Sequence, residues 1–136
     1  MSRIKDRNTA PELRVRKLVY SLGYRYRIHY NLLPGKPDLA FIGLRKVIFV
    51  HGCFWYQHKN CKTSHIPKTN VEYWVAKLDR NCQRDLIHEQ SLINAGWMIL
   101  VIWECEQNLL SCLNLKLYNF LRKRISRVKP SVNRKI

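Results

Sequence analysis

Lys46-Val-Ile-Phe-Val50, then a long stretch opened by Thr69-Asn-Val-Glu72 and closed by Gly96, then Trp97-Met-Ile-Leu-Val-Ile-Trp103, is the passage that decides the fold. The two flanking runs are nearly continuous in apolar and β-branched residues, the composition of buried strands. Between them Thr69 and Glu72 have the spacing of a capping box, which predicts a long helix ending before Gly96. Strand, helix and strand in that order form a crossover unit, which sets the two strands parallel. Working outward, Asp38-Leu-Ala-Phe-Ile42 meets the first of these strands through a tight hairpin at Gly43-Leu44-Arg45, so the sheet is mixed. Pro34-Gly35-Lys36-Pro37 reads as a turn, and before it Tyr24, Tyr26, Ile28 and Tyr30 alternate with Arg25, Arg27 and His29, the period of a half-buried strand. Thr9 or Asn8 caps a first helix that Pro11 helps start and Gly23 stops, with Leu13, Leu18, Val19 and Leu22 as its apolar stripe. Apolar spacing from Leu109 to Leu121 gives a last helix. The expected order is α-β-β-β-α-β-α, an α/β domain over residues 1–125 followed by a basic tail at 126–136.

The charge balance bounds the partners. With 25 Lys+Arg against 9 Asp+Glu the net charge is +16, a field that attracts a polyanion. Nucleic acid is the usual one, for an enzyme or for a basic structural protein alike. No segment is long and apolar enough to insert into a membrane. Ser2 to Asn8 is polar and charged without a hydrophobic run, which predicts a cytoplasmic protein. Five cysteines in that compartment point to metal binding or free thiols rather than a disulfide scaffold.

Three groupings carry possible chemistry. Cys53, His58 and Cys61 share one loop, and Cys105 stands at the end of the last strand. They could close a tetrahedral zinc site that pins the loop, or be buried cysteines beside a surface histidine. Cys82 falls at i±4 between Leu78 and Leu86 and is expected to pack as a small hydrophobe, while His29, His65 and His88 read as surface residues. Next, Pro37-Asp38 begins a strand whose hairpin partner ends in Val50-His51. A carboxylate there can ligate Mg2+, though the same dipeptide is an ordinary turn-to-strand step, and the acidic-x-Lys that follows in restriction-type nucleases is replaced by Phe49-Val50-His51. Glu12 and Asp85 are either further carboxylates of that site or solvated helix-face charges. Last, Phe54-Trp55-Tyr56 either folds over the core or stacks on nucleic-acid bases. Trp74 and Asp85, 11 residues apart, share one helix face about 16 Å apart.

Taken together, Thr9-Ala-Pro-Glu-Leu13, Leu33-Pro-Gly-Lys-Pro-Asp38, His51-Gly-Cys-Phe-Trp-Tyr-Gln-His-Lys-Asn-Cys61, Pro67-Lys-Thr-Asn70, Asn81-Cys-Gln-Arg-Asp85 and the stretch from Gly96-Trp97 to Trp103-Glu-Cys105 resemble the very short patch repair (Vsr) endonucleases. The resemblance runs from about Ser2 to Glu106. It implies a restriction-endonuclease-like fold and a bacterial, monomeric enzyme that nicks double-stranded DNA 5′ of the thymine in T:G mismatches left by 5-methylcytosine deamination, possible company for other mismatch-repair proteins. By the same resemblance Asp38 and the main-chain carbonyl of Val50 hold catalytic Mg2+, and Glu12, His51 and Asp85 are supporting catalytic residues. Cys53, His58, Cys61 and Cys105 hold structural Zn2+; Phe54, Trp55 and Trp74 wedge beside the mismatch, and Met1 does so from the other groove. One departure stands out. The family commonly has a histidine where this chain has Tyr56, and a phenol with a pKa near 10 is a poor base. Either the reaction needs an imidazole at that position and runs slowly here, or His51 carries the proton and Tyr56 stacks or donates a hydrogen bond. A catalytically weak DNA-binding homologue and a sequence-specific restriction-type nuclease are the alternatives on the same scaffold.

Overall fold

The computed structural model describes residues 9–59, 61, 65–108 and 110–123. The expected basic tail and Met1 lie outside them. The elements are α1 (Ala10–Ser21), β1 (Arg27–Ile28), β2 (Leu39–Phe41), β3 (Lys46–His51), α2 (Val71–Asn94), β4 (Met98–Trp103) and α3 (Leu110–Arg122). The strands form one mixed sheet in the order β1-β2-β3-β4, with β1/β2 and β2/β3 antiparallel and β3/β4 parallel.

Period-two alternation sorts the sheet's side chains into two cores. Leu39, Phe41, Ile48 and Ile102 face Val15 and Val19 of α1 and Leu113, Leu117 and Leu121 of α3. Ala40, Val47 and Phe49 face the other way, onto Leu92 of α2 with Trp97, Ile99 and Val101. The result is three layers, helices on both faces of the sheet. β3, flanked by neighbours on both sides, is buried almost throughout, whereas β4 at the edge is mostly half-buried.

Local chemistry explains the element ends, and in places departs from the sequence reading. Thr9 caps α1, its hydroxyl accepting from the Glu12 N–H at 3.4 Å, and Gly23 follows the helix at φ +94°. The Leu13 side chain is exposed; Val15 takes its place in the buried stripe. The capping box at Thr69 does not form: Asn70 enters α2 in the left-handed region at φ 57° with no side-chain cap. β1 is only two residues long, because His29 turns left-handed immediately after it. The tyrosine alternation before it reflects Tyr24 and Tyr26 packing edge-on against Phe41 rather than a longer ladder. The reversal between β2 and β3 is a single 3-10 turn, Ile42–Leu44, in which Arg45 and not Gly43 takes the left-handed φ.

Lys46 opens β3 yet is only 1% exposed. Its ammonium donates to the carbonyls of Phe120, Leu121 and Lys123 at the C-terminal end of α3, where the helix leaves acceptors unpaired and the dipole is negative. Burial, and then the nearby Lys123 charge, hold its pKa below the ordinary lysine value. Lys46→Met keeps the apolar stem but strands those acceptors, and is expected to lower unfolding stability by about 2–4 kcal/mol in a denaturant titration. A variant as stable as the parent would show that α3 does not depend on this contact.

Candidate active site

The sheet topology brings the chemistry to one end. β2 and β3 are antiparallel, so the start of β2 lies beside the end of β3; β4 runs parallel to β3 and finishes at the same end. Asp38, His51 and Glu104 are thereby grouped, and the N-terminal turn of α1 adds Glu12. The turn that delivers Asp38 depends on Gly35. Lys36 N–H bonds the Leu33 carbonyl at 3.2 Å with Gly35 at φ +79°, and a Cβ there would come within 3.1 Å of His88 and 3.2 Å of Phe49.

These residues line a cleft of roughly 980 Å3. On its floor the Val50 N–H donates to Asp38 Oδ2 at 2.6 Å. Burial, opposed by that hydrogen bond and reinforced by the Glu12 charge, raises the Asp38 carboxyl to about 7. Glu12 is only 3% exposed, and Arg16 and His29 both approach its Oε1, at 3.3 and 3.1 Å. Glu12, His29 and Asp38 form a group whose ligand atoms lie within 4.8 Å of one another. The Glu12 charge beside Asp38 makes the Asp38 carboxylate costly to ionise, and a divalent cation between the two buried carboxylates would relieve that repulsion.

His51 is 3% exposed, and neither ring nitrogen makes a hydrogen bond among the described residues. Its Nε2 stands 3.5 Å from Asp85 Oδ1 on α2. Tyr56 stacks on the imidazole at 3.9 Å between centroids, 12° from parallel, and Trp103 meets it edge-on at 5.2 Å. Burial, then the charges of Asp85 and Asp38, push the Tyr56 phenol up to about 12.

Behind this wall stands the thiol cluster. His58 Nδ1 lies 3.6 Å from Cys53 Sγ and 3.4 Å from Cys105 Sγ, and all four ligand atoms, Cys61 included, fall within 4.8 Å. Thiolate and imidazole at tetrahedral zinc bond lengths would be separated by about 3.6 Å. Burial, and then the neighbouring Cys53 and Cys61 thiols, push Cys105 up to about 12; a cation among the four groups would favour its thiolate. The His58 ring stacks on Trp103 at 4.0 Å, and the Cys53 N–H donates to Glu104 at 3.3 Å. Cluster and cleft therefore share a wall.

Residues 1–63 match the model of a family described as DNA mismatch endonuclease Vsr. The chain is 43% identical over 121 residues to the type II nicking enzyme V.XorIIP of Xanthomonas oryzae, spanning 89% of this chain and 88% of that one. This chain belongs to the Vsr family. It is also 42% identical to the type II nicking enzyme V.NmeAIP of Neisseria meningitidis, over 78% of this chain and 75% of the relative. To the DNA mismatch endonuclease Vsr of Escherichia coli the identity is 39%, over 77% and 67%.

Of the residues singled out for a Vsr-like site, Asp38, Glu12, His51, Tyr56, Phe54 and Trp55 all line the one cleft, and Asp85 reaches it through His51. Trp74 joins Phe54 at 5.5 Å and Trp55 at 6.1 Å in a half-buried aromatic cluster at the cleft edge. Sequence reading left Glu12 open as a surface charge; packing of α1 over the start of β2 buries it. It placed His29 on the surface, whereas the turn after β1 swings that ring onto Glu12. Cys82 is not simply a small hydrophobe: half-buried, its thiol reaches the Tyr56 carbonyl at 3.4 Å and ties the loop to α2. Lys77, Asn81 and Arg84 also line the cleft and were missed. Their helical spacing, i, i+4 and i+7, was the signal that one α2 face is polar toward the site.

Among the described residues no helix is long and apolar enough to cross a membrane.

Proposed function

We propose that this Vsr-family DNA endonuclease uses Mg2+ to nick one strand of double-stranded DNA at T:G mismatches arising from 5-methylcytosine deamination, on a restriction-endonuclease-like core. The observation that carries the reading is His51: a buried imidazole without a hydrogen-bond partner among the described residues, 3.5 Å from a carboxylate, lining the same cleft as Asp38. Such a group is poised to exchange a proton with something that enters the cleft.

Asp38 and Glu12 supply the carboxylates for the metal. Val50 N–H points to Asp38, and in an extended strand a residue's carbonyl leaves by the same edge as its N–H, which supports the main-chain ligand. Mg2+ bound there would polarise the scissile phosphate. His51 takes the proton from the attacking water as the new P–O bond forms and one ester P–O bond breaks, the departing sugar oxygen taking a proton from solvent, and Asp85 steadies the resulting imidazolium. Tyr56 holds the His51 ring by stacking. Lys36, Lys77 and Arg84 line the acidic-floored cleft with positive charge suited to the DNA backbone. Phe54, Trp55 and Trp74 give an aromatic edge suited to wedging where a mispair has weakened the stack.

The deciding assay compares nicking of T:G and matched duplexes with Mg2+ and without it. The expected result is metal-dependent nicking of the T:G duplex alone. Binding without cutting would leave a catalytically weak homologue, and cutting of matched duplexes at a fixed sequence would leave a restriction-type enzyme.

The Cys53, His58, Cys61 and Cys105 cluster is read as a structural Zn2+ site that holds the loop carrying Tyr56. Metal analysis after dialysis against EDTA is expected to retain zinc. Cys105→Ser is expected to lower zinc affinity at least about tenfold and reduce the melting temperature with it. A fully folded, zinc-free preparation would remove this assignment.

A further inference from the structure

The His29 backbone lies in the left-handed region, at φ 45°, which few residues other than glycine adopt. The conformation has two consequences at the cleft. The His29 N–H bonds the Asp38 carbonyl at 3.2 Å, and the side chain swings back so that Nε2 meets Glu12 Oε1 at 3.1 Å. Arg16 reaches the same Glu12 oxygen from within α1, at 3.3 Å, and stands 3.5 Å from His29 Nε2. The carboxylate is thus gripped at one oxygen from two directions, one on its own helix and one on the chain segment that leads into Asp38. A single donor leaves a carboxylate able to rotate about its terminal torsion; two converging on Oε1 fix its plane beside Asp38.

We infer that His29 is a positioning residue, whose imidazole holds the Glu12 carboxylate in register with Asp38 so that the pair receives the metal ion. This rests on the reading of Asp38 as a metal-binding residue. His29 acts through Glu12 and is not itself a ligand: its Nε2 is taken up by Glu12 Oε1 at 3.1 Å, which leaves the metal to the two carboxylates.

The test measures Mn2+ binding to the protein as purified, by loss of the free-ion electron paramagnetic resonance signal, with melting curves in parallel. Four proteins are compared: the parent, Asp38→Asn, His29→Gly and His29→Gln. Glycine removes the ring but accepts the left-handed backbone, so folding is spared; glutamine restores an N–H at nearly the Nε2 position. The expected result is that Asp38→Asn loses Mn2+ binding, His29→Gly binds about tenfold more weakly while keeping its melting temperature, and His29→Gln recovers parental affinity. If Asp38→Asn binds as the parent does, the site reading on which the inference stands fails. If Asp38→Asn loses binding but His29→Gly binds like the parent, positioning by His29 is overturned while the site stands. Failure of His29→Gln to recover affinity also overturns it, because the imidazole would then be needed as a ligand in its own right.

Discussion

Asp38→Asn is expected to lower nicking at least about a thousandfold while leaving DNA affinity unchanged or slightly higher. The substitution removes the carboxylate at the centre of the cleft but no group that meets a phosphate, and it lowers the negative charge that DNA must approach. It is also expected to stabilise the metal-free protein at neutral pH and above. The Asp38 carboxyl has a pKa of about 7 in the fold against 3.8 unperturbed, chiefly through burial. The native state therefore keeps a proton that the unfolded chain releases, and stability falls as pH rises between roughly 4 and 7. Asparagine carries no such penalty, and its side-chain oxygen still accepts from the Val50 N–H. In Mg2+-free buffer at about pH 8 the variant should exceed the parent by about 2 kcal/mol, a figure set below the full linkage value because the cleft admits water. The gain should vanish near pH 3, where both states of the parent are protonated. Urea titrations at the two pH values and single-turnover nicking check both halves. A variant that nicks like the parent removes Asp38 from the site; one that is less stable at high pH means its carboxylate is stabilised, not penalised, by its surroundings.

The second large effect separates His51 from Tyr56. His51→Ala is expected to lower the single-turnover rate by about 10²–10⁴, the usual contribution of a general acid–base group. Tyr56→His should change the rate by less than about tenfold, and Tyr56→Phe should leave it unaltered. The reason is geometric. Tyr56 lies flat on His51 at 3.9 Å, and its phenol, pushed up to about 12, stays neutral at any working pH. A neutral phenol can hold a ring but cannot accept water's proton. His51 is already in the cleft with a carboxylate behind it. Rates across pH 6 to 9 at saturating Mg2+ decide the matter: a large gain in Tyr56→His, or a near-parental His51→Ala, would return the proton transfer to position 56.

Much of the architecture was legible because it follows from local periodicity. The apolar runs at 46–50 and 97–103, with a long helix between them, place β3, α2 and β4; Pro34-Gly35 places the turn before Asp38; Gly23 and Gly96 mark the ends of α1 and α2. The misreadings fall where a longer-range contact overrides a local pattern. Lys46, the one charged residue of the 46–50 run, is a buried cap for a helix more than seventy residues downstream, which the run itself does not reveal. Thr69 and Glu72 had capping spacing, but the chain enters α2 through a left-handed Asn70.

The same division holds at the site. By itself the sequence determined which residue types were present and in what local order: thiols and imidazole in one loop, an aspartate at a strand start, aromatics beside it, and a surplus of positive charge. Spacing along a helix or loop carries that information, since it sets which side chains leave from the same face. Which distant groups meet was decided only by the tertiary structure. Glu12 and Asp38 come from a helix and a strand that no spacing rule connects, and His29 reaches Glu12 only because its backbone turns left-handed after β1. Tyr56 covers His51 from a loop whose Tyr56 carbonyl meets the Cys82 thiol of α2, a pairing no local spacing connects. Burial does the rest: an exposed aspartate and an exposed tyrosine are ordinary surface groups, and desolvation in a shared cleft is what chiefly raises the Asp38 and Tyr56 pKa values.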